Sequence, residues 1–157
     1  MTAHALLDAT DWKILRELQA EGRITNVELA ARVGLSPPPC LRRVQALERA
    51  GIIASYRAVL DAAKLGFGVV VFAHIGLKSQ AEAELRSFEA LVAAWPLVRE
   101  AYAVAGEADF ILKIVAEDLA GLQDFVIGTI TAADNVESVK TTFILLIVKY
   151  QPGLPLG

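Results

Sequence analysis

Two short helices joined by a glycine turn constrain this chain more than any other feature of its sequence. Residues 25–28 (TNVE) have the capping-box pattern that opens a helix, and Gly34 tolerates the positive φ needed to end it in a sharp turn. Ser36 followed by Pro37 is a typical start for the next helix, which we expect to end near residue 50. This arrangement predicts a helix-turn-helix unit.

The second helix of the pair has one apolar and one basic side. At 100° per residue, Cys40, Leu41, Val44 and Leu47 share a side and are candidate core residues. The opposite side comprises Pro38, Arg42, Gln45 and Arg49, with Arg43 on its flank. A basic helix in this position enters the major groove of double-stranded DNA, whereas a merely solvated face is the alternative. The predicted base-reading residues are Pro38, Arg42 and Gln45, and the predicted phosphate-holding residues are Arg43, Arg49 and Arg57.

A preceding helix and a following hairpin complete the predicted N-terminal domain, residues 1–60. Asp8 or Thr10 can cap a first helix that runs to about Glu21, and residues 52–60 (IIASYRAVL) suit a small β wing. Residues 1–60 contain eight Lys and Arg against six Asp and Glu, whereas the rest of the chain is net acidic. The charge of the first part therefore favours a polyanionic partner.

The remainder of the chain has the pattern β-α-β-β-α-β, which predicts an α+β protein whose C-terminal domain is a ferredoxin-like sandwich. Residues 61–67 are the expected linker, and 68–157 the expected second domain. The expected elements are strand 68–77, helix 80–95, strand 97–105, strand 109–116, helix 119–130 and strand 136–150. The first and last strands are apolar on both alternations, so we predict a homodimer formed through the uncovered face of the sheet.

Composition excludes several other classes. One Cys and two His argue against a disulfide framework and a multi-histidine metal site, and no catalytic cluster or cofactor motif is present. The longest apolar runs, 67–75 and 143–148, are far shorter than the ~20 residues of a membrane span. The first residues do not resemble a signal peptide. We therefore expect a cytoplasmic protein without a catalytic or metal site.

The residues also resemble a known family, the Lrp/AsnC (feast/famine) regulators. The motifs that carry the resemblance are DATDWKIL, QAEGRITNVELA and VGLSPPPCLRRV in the first half and VAGEADFILK in the second. The resemblance covers residues 6–150. It implies a winged helix-turn-helix, a ferredoxin-like ligand-sensing domain that forms dimers and often octamers, and transcription control tuned by amino acids.

The resemblance also implies positions for two sites. The helix-turn-helix maps to Asn26–Gln45, and the candidate DNA contacts within it comprise Asn26, Ser36, Pro38, Arg42 and Arg43. The family's effector pocket lies between subunits near the hairpin, and the candidate residues there are Tyr102, Ala103, Val104, Gly106, Glu107 and Asp109. Asp109 can accept from a ligand's ammonium group, or it can cap backbone N–H groups of the turn instead.

Three alternatives to an amino-acid-tuned regulator remain open at this point. The first is a DNA-organising protein without an effector. The second is an enzyme, since a distant group with this layout decarboxylates tetrapyrroles through histidines and arginines of the C-terminal domain. Only His74 lies in that domain here, and no acid–base cluster accompanies it, so we predict no enzyme. The third is a protein-interaction module, which the basic helix disfavours.

Overall fold

Local sequence signals begin and end the first three helices of the computed structural model, which describes residues 7–156. The helices are α1 (Ala9–Ala20), α2 (Asn26–Val33) and α3 (Pro37–Arg49). The Asp8 carboxylate accepts from the Thr10 and Asp11 N–H groups and so caps α1, while the predicted Thr25–Glu28 capping box opens α2. Gly34 ends α2 with φ of 77°, a conformation that favours glycine.

The core of these helices confirms the predicted inner side of α3 for Cys40, Val44 and Leu47, whereas the prediction for Leu41 was wrong, since its side chain is 44% exposed. Cys40 and Leu47 are fully or almost fully buried, and they pack with residues of the two preceding helices. Those residues are Ile14, Leu29, Ala30 and Val33. Burial raises the pKa of the Cys40 thiol, as expected for a small core residue.

The predicted β wing is not formed by this chain: residues 52–60 contain no strand. The N–H groups of Ile52 and Ile53 both donate to the Leu47 carbonyl, at 3.0 and 3.3 Å, so this backbone closes the end of α3 instead of starting a hairpin. Both isoleucines also pack on the helical core. The predicted Ser36 cap makes no side-chain hydrogen bond, and α3 begins with its prolines alone.

The rest of the chain forms the expected four-stranded antiparallel sheet with helices on one face. Its strands lie in the order β2-β3-β1-β4. The elements are β1 (Val69–Leu77), α4 (Glu82–Ala94), β2 (Val98–Ala103), β3 (Phe110–Ala116), α5 (Leu119–Phe125) and β4 (Val136–Phe143). A π-helical turn, Val126–Ile130, extends α5, and a 3₁₀ turn, Ala63–Leu65, precedes β1.

Alternation along the strands separates a covered face from an open face. Val71, Ala73 and Ile75 of β1 are fully buried, and they pack with Phe88 of α4 and Leu122 of α5. The intervening residues of β1 point to the other face of the sheet and are only half-buried; they are Val70, Phe72, His74 and Gly76. The open face of the sheet thus carries both apolar and polar side chains.

The last strand is shorter than predicted. It ends at Phe143 and not near Tyr150, because it pairs antiparallel with β1, whose first residue is Val69. Phe143 lies opposite Val71, and the Ile144 N–H donates to the Val70 carbonyl. Beyond that point β1 offers no backbone partner, and the four apolar residues 145–148 are all more than half exposed.

The chain divides into two compact units. One comprises Met1–Val59 with Tyr150–Gly157, and the other comprises Leu60–Lys149. The C-terminal tail therefore clusters with the helical unit, whereas the sequence pattern assigned it to the second domain. The Gln19 side chain holds it, since Nε2 donates to the Leu154 carbonyl at 2.8 Å and Oε1 accepts from the Leu154 N–H at 2.9 Å.

None of the helices among residues 7–156 has the length and apolar content needed to cross a bilayer. The expectation that the chain lacks a signal peptide depends largely on residues 1–6, which lie outside the described residues.

Candidate DNA-binding surface and sheet-face groove

The outer side of α3 is an exposed row of polar and basic side chains. Pro38, Arg42, Gln45 and Arg49 are all exposed, opposite the buried Cys40 and Leu47. Within residues 7–156, no hydrogen bond or ion pair engages the side chains of Arg42, Gln45 or Arg49. This row, here called the α3 face, therefore offers unpaired donors to a ligand.

Arg43 differs from its neighbours because it is held inside the helical unit. Its guanidinium lies 2.7 Å from Asp11 Oδ1 and 2.8 Å from Asp8 Oδ2, at the start of α1. The hydrogen bond to Asp11, followed by that to Asp8, raises the pKa of Arg43. The side chain predicted to hold a phosphate thus ties α3 to α1 in this structure.

Asn26 and Ser36 lie at the turn between α2 and α3. Asn26 Nδ2 donates to the Pro37 carbonyl at 2.9 Å, and the Asn26 side chain therefore fixes the start of α3 relative to α2. Ser36 is exposed at the N-terminus of α3. Of these two candidate DNA contacts, Ser36 is exposed, whereas Asn26 is half-buried and positions the helix.

The segment after α3 carries one more candidate, Arg57, which is exposed and unpaired within residues 7–156. Its neighbour Tyr56 is anchored to α3, since the Tyr56 hydroxyl donates to Glu48 Oε1 at 3.0 Å. Desolvation, together with this hydrogen bond to a carboxylate, raises the pKa of Tyr56 to about 12. The anchored tyrosine fixes the backbone from which Arg57 projects.

A groove of about 530 Å³ lies on the open face of the sheet, at the hairpin between β2 and β3. The hairpin residues 104–108 form its lip and include three of the predicted effector residues, Val104, Gly106 and Glu107. Its floor comes from β1, β3 and β4: His74, Gly76, Ile111, Ser138, Lys140 and Thr142. We call this cavity the sheet-face groove.

Sheet register creates the floor of the groove. His74 of β1 lies between Ile111 of β3 and Lys140 of β4, and Gly76 lies opposite Ser138. A Cβ atom at Gly76 would come within 2.6 Å of Ser138 Oγ, so glycine permits this close approach. Lys140, Ser138 and Thr142 have no local sequence signal as groove residues, because only the pairing of distant strands brings them to the hairpin.

The Asp109 carboxylate accepts hydrogen bonds from within the sheet unit itself. Its Oδ2 accepts from the Leu77 N–H at 2.7 Å, and its Oδ1 accepts from Gln80 Nε2 at 2.9 Å. Its own N–H donates to the Ile75 carbonyl. The carboxylate therefore latches the hairpin to the end of β1, which is the capping alternative for this residue, and it does not line the sheet-face groove.

Tyr102 and Ala103 also lie outside the lining of the groove. The Tyr102 hydroxyl donates to Glu100 Oε2 at 2.8 Å, and Lys113 Nζ lies 2.7 Å from Glu100 Oε1. The bond from Lys113 lowers the pKa of Glu100, and the bond to Glu100 raises that of Tyr102. The three side chains form a closed network on the same face as the groove.

The sheet-face groove presents charges of both signs. Lys140 supplies a cation from the floor and Glu107 an anion from the lip, and neither forms an ion pair within residues 7–156. Ile111 and Val104 add apolar surface. A small zwitterion with an apolar side chain matches these three features.

Comparison with protein families gives two matches on this chain. Residues 7–54 match the family described as winged helix-turn-helix DNA-binding, and residues 70–154 match the Lrp/AsnC ligand binding domain. The second match covers more than half of the chain. This protein belongs to the Lrp/AsnC family. The resemblance of the sequence motifs and the winged helix-turn-helix plus ferredoxin-like fold class are thereby confirmed, although the wing is not built of paired strands here.

Individual Lrp/AsnC proteins match over almost the whole chain. The leucine-responsive regulatory protein of Rhizobium meliloti is 58% identical over 95% of this chain and 96% of its own length. The Bkd operon transcriptional regulator of Pseudomonas aeruginosa is 38% identical over 97% and 99%. A transcriptional regulator of Neisseria meningitidis, solved as a complex with L-Met, is 39% identical with a TM-score of 0.92 and covers 96% of this chain and 97% of its own.

The chain is thus a DNA-binding transcription regulator of the Lrp/AsnC type with a ligand-binding domain. The family consists of transcriptional regulators and not of enzymes, so the tetrapyrrole-decarboxylase alternative is not supported. The described part of the chain has no cluster of three or more His, Cys, Asp or Glu side chains suited to a metal ion.

Proposed function

We propose that this Lrp/AsnC regulator reads its operator with the α3 face. Pro38, Arg42 and Gln45 contact base edges in the major groove, where Arg pairs with guanine and Gln with adenine. Arg49, Arg57 and Ser36 contact phosphates on either side. The observation that carries the proposal is that Arg42, Gln45 and Arg49 are exposed and unpaired among the described residues, on a helix whose other side is buried.

Asn26 and Arg43 have supporting roles in this proposal. Asn26 holds the turn through the Pro37 carbonyl, and Arg43 holds α3 against the start of α1. Arg43 is half-buried and both of its acceptors are carboxylates, so a phosphate must compete with Asp8 and Asp11 for it. Its contribution to DNA affinity is therefore smaller than that of Arg42.

The proposed effector is an amino acid bound in the sheet-face groove. Lys140 binds the carboxylate, Glu107 binds the ammonium group, and Ile111 with Val104 contacts the side chain. Glu107 replaces Asp109 as the ammonium acceptor, because both oxygens of Asp109 already accept hydrogen bonds. The complex of the Neisseria meningitidis regulator with L-Met supports an amino acid as the ligand class.

The proposed assembly is a homodimer that associates further to an octamer. Apolar exposure supports association: Leu145 is 96% exposed and Val148 is 88% exposed, and Val70 and Phe72 on the open face are only half-buried. A two-fold dimer also places two α3 faces for the two halves of a palindromic operator. An effector that binds the assembly states unequally then changes DNA binding.

A DNA-binding regulator of this kind acts in the cytoplasm.

A gel-shift titration tests the proposal with the full-length protein. The upstream region of its own gene is compared with a random duplex of equal length, at two salt concentrations, with and without a pool of the twenty amino acids. We expect preference for the upstream region and a shift of its binding curve by the pool. Preference without a response would overturn the effector and leave a DNA-organising protein. Equal binding to both duplexes would overturn operator reading.

A further inference from the structure

The C-terminal segment, residues 150–156, docks on the helical unit and not on the sheet unit that precedes it in the chain. We call this segment the strap. β4 ends at Phe143, and residues 144–149 separate it from the strap. With the strap docked, two chain segments therefore join the units, one near residues 59–60 and the other at 144–149. With the strap released, only the first of them does.

Gln19 of α1 recognises the backbone of the strap at two atoms. Its Nε2 donates to the Leu154 carbonyl at 2.8 Å, and its Oε1 accepts from the Leu154 N–H at 2.9 Å. One carboxamide thus pairs with both backbone groups of a single residue, as a residue of a neighbouring antiparallel strand would. The two bonds fix where the strap lies along α1.

The strap has a backbone suited to this contact. Gly153 has φ of 136°, a conformation that favours glycine. A Cβ atom at this position would lie 2.7 Å from Gln19 Cδ and 2.8 Å from Gln19 Oε1. Pro152 and Pro155 on either side restrict the free segment, so less conformational entropy is lost when it docks. The approach to the carboxamide therefore requires the glycine.

Two leucines of the strap complete an apolar pocket of about 380 Å³ on the helical unit. Leu154 is 70% exposed and Leu156 is half-buried, so the strap buries little apolar surface. A contact with specific pairing and shallow burial can open without unfolding the unit beneath it. The pocket is lined on the side of the unit by apolar residues that include Trp12, Leu15, Leu18, Ile52 and Ile53.

The strap also follows directly from the strand that forms part of the floor of the sheet-face groove. β4 contributes Ser138, Lys140 and Thr142 to that floor, and Lys140 is the residue proposed to bind the carboxylate of the effector. The short spacer 144–149 keeps the local concentration of the strap at its pocket high, so even weak docking is populated. A change in the course of β4 can therefore shift the docking equilibrium.

We propose that the strap couples effector binding in the sheet-face groove to DNA binding by the α3 face. The inference rests on the proposed effector site. The effector binds the docked and released states unequally, as linkage requires, and so changes the population of the docked strap. The docked strap restrains α1, whose Ile14 shares a core with Cys40 of α3. The two states thus present the α3 face to an operator with different freedom.

The test compares four full-length proteins, the wild type and three variants. Gln19→Ala removes both bonds to the strap, and Gly153→Ala places a Cβ atom against the carboxamide. Gln151→Ala is the matched control, since Gln151 is an exposed strap residue whose side chain makes no hydrogen bond within residues 7–156. Hydrogen exchange of a peptide covering the strap measures docking. We expect protection in the wild type and the control, and its loss in the other two.

Anisotropy titrations of the labelled upstream duplex, with and without a pool of the twenty amino acids, measure the coupling. In the wild type and in Gln151→Ala, the pool should shift affinity by about 5- to 150-fold, the usual range of allosteric coupling. In Gln19→Ala and Gly153→Ala the shift should fall below about twofold. Exchange of the hairpin, residues 104–109, should be slowed by the pool in all four proteins, because the groove itself is unchanged.

The outcomes separate the strap from the effector site. Equally fast exchange of the strap in the wild type and in Gly153→Ala would show that it does not dock, and a full response to the pool in both undocked variants would show that it does not couple. Either result overturns the proposal. Hairpin protection that disappears in the undocked variants would make the strap a part of the groove and not a link. A pool that protects the hairpin in none of the proteins would overturn the effector site and the coupling with it.

Discussion

The α3 face and the sheet-face groove differ in how their side chains are brought together. The α3 face comes from one helix of 13 residues, and its exposed Arg42, Gln45 and Arg49 lie on successive turns. The groove comes from three strands and a hairpin, and it brings His74 beside Lys140, which follows it by many residues in the chain. A surface on one helix depends on local periodicity, whereas a surface on a sheet depends on the pairing of distant strands.

The two regions also differ in which acidic and basic groups remain available. On the helical unit, the Arg43 guanidinium forms ion pairs with Asp8 and Asp11. The side chains of Arg42, Gln45 and Arg49 remain unpaired among the described residues. At the hairpin, the Asp109 carboxylate accepts hydrogen bonds from Leu77 and Gln80, while Glu107 on the lip stays unpaired among the described residues. In each region one charged residue supports the surface and another is left to bind, and substitutions can separate the two roles.

The largest expected effect is that of Arg42→Ala on DNA binding. If Arg42 reads a base, its loss should weaken binding to the operator by about 1–3 kcal/mol, or roughly 5- to 150-fold. Fluorescence anisotropy with the operator and with a random duplex measures both affinities. An equal loss on both duplexes would assign Arg42 to the phosphates instead.

Next is the removal of the hairpin latch. Asp109→Ala leaves the N–H of the buried Leu77 without its acceptor, so the free energy of unfolding should fall by about 1–3 kcal/mol. Glu107→Ala, on the exposed lip, is the matched control and should change it by less than about 0.5 kcal/mol. Urea denaturation measures both. An Asp109→Ala protein of unchanged stability that no longer binds amino acids would make Asp109 a ligand contact.

A smaller effect on DNA is expected from Arg43→Ala. Because the Arg43 side chain is held by Asp8 and Asp11, its loss should lower the thermal midpoint of the helical unit but reduce operator affinity by less than about fivefold. Calorimetry and anisotropy on the same preparation separate the two. A loss of operator affinity equal to that of Arg42→Ala, at an unchanged thermal midpoint, would show that Arg43 contacts the DNA.

The smallest effect concerns Tyr56 and appears only at alkaline pH. Its pKa in the folded chain, about 12, exceeds the ordinary value of 10.0, so its contribution to folding is complete below pH 10 and is lost as the pH rises through 12. Absorbance of tyrosinate should therefore show a late step that Tyr56→Phe removes. A titration of unchanged shape in the variant would mean that the bond to Glu48 is not maintained in solution.

Most of the helical unit could be predicted from the sequence because its signals are local. The Thr25–Glu28 capping box, Gly34 and Pro37 set the helix ends, and the apolar periodicity of α3 located the side that buries Cys40 and Leu47. Only the paired strands expected within residues 52–60 are absent, because the N–H groups of Ile52 and Ile53 close α3 through the Leu47 carbonyl, a contact that strand propensity does not reveal.

The succession of strands and helices in the sheet unit could be predicted, but the strand ends and the pairing register could not. Alternation located the strands, yet the end of β4 at Phe143 depends on where β1 begins, and this requires the register between them. For the same reason Lys140 and Ser138 gave no local signal as groove residues. The engagement of Asp109 by Leu77 and Gln80 likewise depends on where the hairpin meets the end of β1.

One measurement tests whether the α3 face binds the DNA and the sheet-face groove binds the effector. Anisotropy titrations of the labelled upstream duplex are run with the wild type, Arg42→Ala and Lys140→Ala, each with and without the pool of twenty amino acids. We predict that Lys140→Ala binds the duplex like the wild type but no longer responds to the pool, and that Arg42→Ala binds weakly in both conditions. A full response by Lys140→Ala, or undiminished binding by Arg42→Ala, would contradict the account.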